Sequence, residues 1–266
     1  MFIDGRAIAQ KIIDEIGTNL QGKKVCFMLF GNDESSKQFI RIKTRIAEKI
    51  GIQVDCIQNI EAVDTDTACT QVADICNRGY DGVIVQLPLP VGLDTIRIVN
   101  TVPMRQDIDV LNTETYEAFK NGNTPRIPPV GGAVWEIIKT LNMSLENKNI
   151  VLVGYGNLVG KPVSDLLVRE GIIHTIITKE TDNVLRETQL KQADIVISGV
   201  GVPHMIIPNM IQPGCVLIDA GTSESSGVLV GDIHPDCVHV ASYMTPVPGG
   251  VGPVTVACVY KNLLKK

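Results

Sequence analysis

Apolar runs of strand length recur along this chain, separated by amphipathic stretches of helix length, and few folds accept that alternation. Residues 23–30 (KKVCFMLF) read as a buried strand, and residues 36–50 as the helix after it, ended by Gly51. Residues 53–57 are a second strand and 65–77 a helix. Residues 82–85 form a third strand that stops at Gln86-Leu-Pro-Leu-Pro90, because proline cannot continue a ladder. Such an order predicts a parallel sheet covered by helices. In these sheets ligands collect beyond the carboxyl ends of the strands, here residues 31–36 and 86–90.

Residues 121–132 (NGNTPRIPPVGG) are dense in proline and glycine and read as a linker or domain edge. A second strand–helix series follows, with a helix over 133–142, strands at 149–153, 173–178, 194–198 and 215–219, and helices at 159–169 and 182–190. The tail at 252–264 is an amphipathic helix able to pack on either half. The expected fold class is therefore α/β in two domains, the second Rossmann-like.

Composition narrows the function classes. With 266 residues and 44% apolar content the chain can build sizeable cores. Its 24 basic and 29 acidic residues give a net charge of −5 without a basic block, which argues against nucleic acid as a partner. The apolar runs fall short of the roughly 18 residues a membrane-spanning helix needs. The opening MFIDGRAIAQ lacks the pattern of a signal peptide, so a soluble, cytoplasmic protein is expected. Seven cysteines without C-x-x-C read as reduced thiols, and no metal site is expected.

Gly154-Tyr155-Gly156-Asn-Leu-Val159-Gly160 follows a buried strand and opens a helix, so it can offer amides and a helix dipole to phosphate. Its spacing is one residue longer than the usual dinucleotide fingerprint, and a plain tight turn remains the alternative. At the end of the next strand Lys179 could pair with a 2′-phosphate, as in NADP, and Glu180 with a free 2′-hydroxyl, as in NAD. Gly199 and Gly201, and then Gly221-Thr222, place small residues where a flat cofactor would cross the sheet edge. Thr245-Pro-Val-Pro248-Gly249-Gly250-Val-Gly-Pro-Val-Thr255 is a stiff loop whose bare backbone can approach a ligand. Ser36, Phe39 and Lys43 lie along one helix face. Asp107 and Asp109 are carboxylates of an ordinary turn or a paired site.

Residues 81–90 (DGVIVQLPLP) and 245–255 match, nearly letter for letter, the two signatures of the bifunctional methylenetetrahydrofolate dehydrogenase/cyclohydrolase family, which the chain resembles from Ile3 almost to its last residue. The resemblance implies two α/β domains, here 1–125 plus 252–266 for folate and catalysis and 126–251 for NAD(P), with a cleft between them. It also implies a homodimer formed through the cofactor domain. The implied chemistry is oxidation of 5,10-methylenetetrahydrofolate by NADP, or NAD, and hydrolysis of the methenyl product to 10-formyltetrahydrofolate. Lys43 would be the catalytic lysine, Gln86 would hold it, and Asp109 would bind the pterin. Ser36, Phe39, Leu87, Pro88, Pro248, Gly249 and Gly250 would border the substrate. Gly154, Tyr155, Gly156, Val159, Gly160, Lys179, Gly199, Gly201, Thr222 and Thr255 would border the cofactor. A lysine desolvated in such a site suits proton transfer near neutral pH.

The sequence also departs from the family. Phe39 stands where the family has tyrosine, which keeps the stacking surface and removes the hydroxyl. A dehydrogenase with weak hydrolase activity, or a non-catalytic binding paralogue, are the alternatives this raises. Gln106-Asp-Ile-Asp-Val110 replaces Lys-Asp-Val-Asp-Gly, Gly-Tyr-Gly replaces Gly-Arg-Ser, and the family's Cys-Thr-Pro is absent around Pro128.

Overall fold

The structure is a computed structural model that describes residues 1–61, 64–225 and 228–265. In chain order its first elements are α1 (Gly5–Ile16), β1 (Lys24–Phe30), α2 (Glu34–Lys49), β2 (Gln53–Ile60), α3 (Thr65–Cys76), β3 (Gly82–Val85), α4 (Thr95–Val99) and α5 (Thr113–Lys120). There follow α6 (Pro129–Thr140), β4 (Ile150–Val153), α7 (Gly160–Arg169), β5 (Thr175–Ile177), α8 (Asn183–Gln192), β6 (Ile195–Ser198) and β7 (Val216–Asp219). The last are β8 (Ser223–Ser225), β9 (Val228–Val230), β10 (Tyr243–Met244) and α9 (Val251–Leu263).

The chain divides into two compact units, one of residues 12–129 and 256–266, the other of residues 1–11 and 130–255. They are called here the β1 unit and the β4 unit. Among the described residues the β1 unit holds a parallel sheet in the order β2-β1-β3. β1 is buried at every position after Lys24, as a parallel strand covered on both faces must be. Its core gathers Met28, Phe30, Val72, Val83, Val85 and Ile98 from the sheet, α3 and α4. Asp33, Asp64, Asp94 and Asn112 cap α2, α3, α4 and α5 by accepting backbone N–H groups of each first turn, which fixes where these helices start. The last turns of α9 belong to this unit. There Asn262 Nδ2 donates to the carbonyls of Ile108 (3.0 Å) and Ile127 (2.7 Å).

The β4 unit holds a parallel sheet in the order β10-β7-β6-β4-β5, with β8 and β9 as a separate antiparallel pair. Val151, Val153, Val196, Leu217, Ile206 and Ile233 form its core.

Several expectations need correction. By backbone contacts the first eleven residues group with the β4 unit, where Phe2 bridges Met244 and Ile3 N–H donates to its carbonyl at 2.8 Å. Residues 252–255 group there as well. α6 starts at Pro129, so the expected linker is partly helix. Proline suits a first helical position, and Gly131 lets the helix approach α7, since a Cβ on it would lie 3.1 Å from the Pro162 carbonyl oxygen. The strand over 53–57 runs on to Ile60, and that over 173–178 shortens to β5. α1, α4 and α5 had no counterpart in the sequence reading. All seven cysteines are free thiols, with Cys56 exposed and Cys69 half-buried. Among the described residues no helix is long and apolar enough to cross a membrane, and no group of histidine, cysteine or acidic side chains is arranged to hold a metal.

Candidate functional site

In the β1 unit the spacing of α2 puts Ser36, Ile40, Lys43 and Ala47 on its buried face. Lys43 is 5% exposed, unusual for a lysine, and so requires partners. Its Nζ donates to Gln86 Oε1 at 3.1 Å and lies 5.8 Å from the Phe27 ring centre and 6.0 Å from that of Phe39, within cation–π range. Gln86 sits just past β3, where its N–H still bonds Met28 of β1. Its Nε2 donates to the Leu87 carbonyl at 2.7 Å, which turns the amide oxygen towards the lysine. Ser36 Oγ reaches the same carbonyl at 3.5 Å, and the Leu87–Pro88 bond is cis. Ser36, Phe39, Lys43, Gln86 and Leu87 thus come together at the carboxyl end of β3.

Two further groups shape this cluster. The buried Tyr260 of α9 donates its hydroxyl to the Lys43 carbonyl oxygen at 2.7 Å. Burial pushes that phenol's pKa upward, with the charges of Cys56 and Asp109 adding to the effect. Asp109 is half-buried, and among the described residues no hydrogen bond joins it to Lys43 or Gln86. Val110, which stands where the family has glycine, has a left-handed backbone at φ 56°. Asp107 is structural. Its carboxylate accepts the N–H groups of Leu111 (3.2 Å) and Asn112 (2.9 Å), and burial outweighs those bonds to raise its pKa to about 6.

In the β4 unit the three glycines after β4 have different surroundings. Gly154 turns the chain at φ 94°, and a Cβ on Gly160 would sit 2.1 Å from the Gly154 carbonyl oxygen, so Gly160 is needed for strand–helix contact. A Cβ on Gly156 would meet nothing within 4 Å. A turn glycine, an open glycine and a packing glycine are the three roles a dinucleotide loop requires. Val159, at the N-cap of α7, makes no side-chain cap, unlike Asp182 at α8. At the start of α7 Lys161 N–H donates to the Gly156 carbonyl at 3.0 Å and Pro162 has no N–H, so it is the Gly160 amide that the helix start can turn to an anion. These residues fit a dinucleotide phosphate.

Tyr155 and Gly156 of this loop are exposed, as is Thr222 after β7, and Gly199 packs on the loop, since a Cβ there would lie 2.1 Å from Val159 Cγ1. Gly201 has φ 75°. Lys179 is almost fully exposed and 3.8 Å from Glu180, whose carboxylate accepts the Thr178 hydroxyl at 2.7 Å. The Val247–Pro248 bond is cis, Gly249 has φ 111°, and a Cβ on Gly5 would lie 1.9 Å from the Gly250 carbonyl oxygen, so this loop packs directly on the start of α1. Thr255 donates its hydroxyl to Val251 of its own helix at 3.1 Å. Sequence reasoning missed Tyr260 and the buried pair Asp219 and Asp232. Tyr260 shows only as one apolar position of a helix, Asp219 shows only as the first residue of the strand-end run Asp219-Ala-Gly221-Thr222, and Asp232 stands in no motif.

The sequence matches two family descriptions, "Tetrahydrofolate dehydrogenase/cyclohydrolase, catalytic domain" over residues 3–109 and the NAD(P)-binding domain of the same family over 128–266. A bifunctional protein FolD of Clostridium novyi is 35% identical over 98% of this chain and 97% of its own. The crystal structure of the FolD methylenetetrahydrofolate dehydrogenase/cyclohydrolase from Campylobacter jejuni aligns with a TM-score of 0.91 at 25% identity, covering 99% of this chain and 97% of that one. The Trypanosoma brucei FolD complexed with NADP and an inhibitor aligns at 0.89 with 28% identity, covering 99% and 96%. With both halves matched by one family and relatives aligned end to end, the chain belongs to the tetrahydrofolate dehydrogenase/cyclohydrolase family.

Proposed function

We propose that this chain oxidises 5,10-methylenetetrahydrofolate to the methenyl form with NADP and hydrolyses that product to 10-formyltetrahydrofolate. When bound, the nicotinamide takes the hydride of the one-carbon bridge. The chain's part in that step is to align two rings. Ser36, Phe39, Leu87 and Pro88 border the folate, Asp109 accepts from the pterin N–H groups, and Pro248, Gly249 and Gly250 border the reacting rings. Gly154, Tyr155, Gly156, Val159 and Gly160 cradle the phosphates. Gly199, Gly201, Thr222 and Thr255 line the path to the nicotinamide.

In the hydrolytic step water adds to the methenyl carbon, the bond from that carbon to N5 breaks, and N5 takes a proton. One proton of the added water is released to solvent and the other passes to N5 through Lys43, which accepts it as the neutral amine while Gln86 Oε1 holds its Nζ in place. The observation that carries this reading is the 3.1 Å bond from Lys43 to Gln86, made with phenylalanine at position 39. The lysine needs no tyrosine hydroxyl there to be held, which favours a bifunctional enzyme over a dehydrogenase that has lost its hydrolase. Lys179 supports NADP over NAD, because its ammonium is exposed at the strand end while Glu180 is engaged by Thr178. The same reading includes a homodimer acting in the cytoplasm.

The test follows reduced cofactor and methenyl absorbance together, with NAD and NADP in parallel. Faster turnover with NADP and a methenyl intermediate that decays to 10-formyltetrahydrofolate are expected. Accumulating methenyl would overturn the hydrolase assignment, and reduction of neither nicotinamide would overturn the whole reading. Lys43→Arg keeps a cation but not a convenient proton shuttle, and is expected to lose hydrolysis across the pH range. Undiminished hydrolysis would remove Lys43 from the proton transfer.

A further inference from the structure

Asp232 is fully buried just after β9, and nothing in the proposed chemistry uses it. Its two oxygens accept four hydrogen bonds. Oδ2 takes the Ser198 hydroxyl and the Val200 N–H, each at 2.7 Å, and Oδ1 takes the N–H groups of Gly201 and Val202, each at 2.9 Å. Three successive amides of the loop after β6 therefore converge on one carboxylate. The segment carrying it is held in turn by Asp219 at the end of β7, which accepts the N–H groups of Asp232 (3.2 Å), Ile233 (2.8 Å) and Gly221 (3.0 Å). Each acid lies under a glycine. A Cβ on Gly221 would be 2.1 Å from Asp232 Cγ, and one on Gly231 would be 2.1 Å from Asp219 Oδ2. The ends of β6 and β7 are thus fixed to residues 231–233 by two carboxylates.

The loop contributes little to the core, since Val200 and Val202 are exposed. What the carboxylate changes is the character of its outer surface. Amides that would otherwise attract an anion are drawn inward, which leaves the apolar side chains of Val200 and Val202 outside. The neighbouring loop after β4 is the opposite, with a helix start that no side chain caps. The two loops abut, because a Cβ on Gly154 would touch Gly199 O and Val200 Cγ2 at 3.0 Å. One edge of the sheet is thereby sorted into a half that suits phosphate and a half that suits a flat, uncharged or cationic ring.

We propose that Asp232 is a positioning residue for the hydride-transfer step: by collecting the amides of residues 200–202 it shapes the loop that receives the nicotinamide, and it excludes phosphate from that half. It touches neither cofactor nor folate. This rests on the reading above, in which Gly199, Gly201 and Thr222 border the nicotinamide end.

The test compares the full chain with Asp232→Asn. Three of the four groups around Asp232 are backbone N–H donors, so the asparagine NH2 faces at least one of them whichever way the amide is turned, although the Ser198 hydroxyl can rotate to accept from it. The KM for the nicotinamide cofactor is expected to rise about tenfold and the dehydrogenase kcat to fall by a similar factor, as for a misplaced reacting ring. Hydrolysis of methenyltetrahydrofolate supplied directly, and binding of 2′,5′-ADP, which has no nicotinamide, are expected to stay within about twofold. Unchanged dehydrogenase kinetics would overturn the proposal, and so would an equal fall in both activities together with lost 2′,5′-ADP binding, which marks a merely structural role. Should that variant fail to fold, Ser198→Ala removes one of the four donors. It is expected to shift dehydrogenase kinetics about threefold in the same direction with hydrolysis unchanged, and no shift would be equally fatal. A wild-type chain that reduces no nicotinamide sinks instead the reading beneath.

Discussion

Val110 is a buried, β-branched residue with φ 56°, beside the proposed pterin-binding Asp109. A left-handed conformation costs a non-glycine residue roughly 1–2 kcal/mol. Two variants separate that strain from the value of the buried side chain. Val110→Ala removes the methyl groups but keeps Cβ and therefore the strain. Val110→Gly removes Cβ as well. At an ordinary φ the step from alanine to glycine would cost about 0.8 kcal/mol for the buried carbon and about 0.5–1 kcal/mol in backbone entropy. Here relief of strain offsets most of that sum, so the two variants should have stabilities within about 0.5 kcal/mol of each other. Urea unfolding of both, with equal slopes, gives the comparison. A glycine variant less stable than the alanine variant by about 1.5 kcal/mol would refute the strain at this position. Because glycine keeps the same turn, the KM for folate should change little in Val110→Gly.

Other outcomes follow from single contacts. Tyr260→Phe loses the hydroxyl on the Lys43 carbonyl and should cost about 1 kcal/mol of stability. It should slow hydrolysis more than hydride transfer, and a stopped assay of each step would show an equal effect if the tyrosine merely packs. Gly160→Ala drives a methyl onto the Gly154 carbonyl, 2.1 Å from its oxygen, and should destabilise by about 1–3 kcal/mol while raising the cofactor KM. An unchanged melting temperature would contradict the close strand–helix contact. Burial, reinforced by the charge of Asp232, raises the Asp219 pKa to about 7. The folded state therefore holds this proton more tightly than the unfolded chain, and its stability contribution is full below the unfolded value and lost as pH rises to about 7. Denaturation midpoints of Asp219→Asn should fall less steeply than those of wild type across that window, and parallel slopes would show that Asp219 does not titrate there.

β1 to β7 and the helices α2, α3, α7 and α8 were legible because a parallel strand covered on both faces is a nearly unbroken apolar run, as in β1 after Lys24 and β6 up to Ser198, whereas the two-residue β10 is too short to show such a run. Lys43, Gln86 and Ser36 were legible through helix spacing and through the prolines that stop β3. Their bond was not, because the amide of Gln86 takes its direction from the Leu87 carbonyl. α1 was hidden for a different reason. Its start is marked by Asp4, which accepts the N–H groups of Arg6 and Ala7 at 3.0 Å, but Phe2 and Ile3 before it pair with Met244, and local pattern carries no trace of such a partner. The same holds for Asp232, whose meaning depends on three amides brought to it by the fold.

The hydroxyl of Tyr260 reaches a carbonyl 217 positions earlier in the chain. During synthesis the sheet around β1 can assemble long before that tyrosine leaves the ribosome, but the lysine's helix gains its last anchor only afterwards. Ribosome-bound nascent chains halted before position 260 should therefore be folded around β1 and still slow to hydrolyse the methenyl compound, because the lysine's helix lacks that anchor.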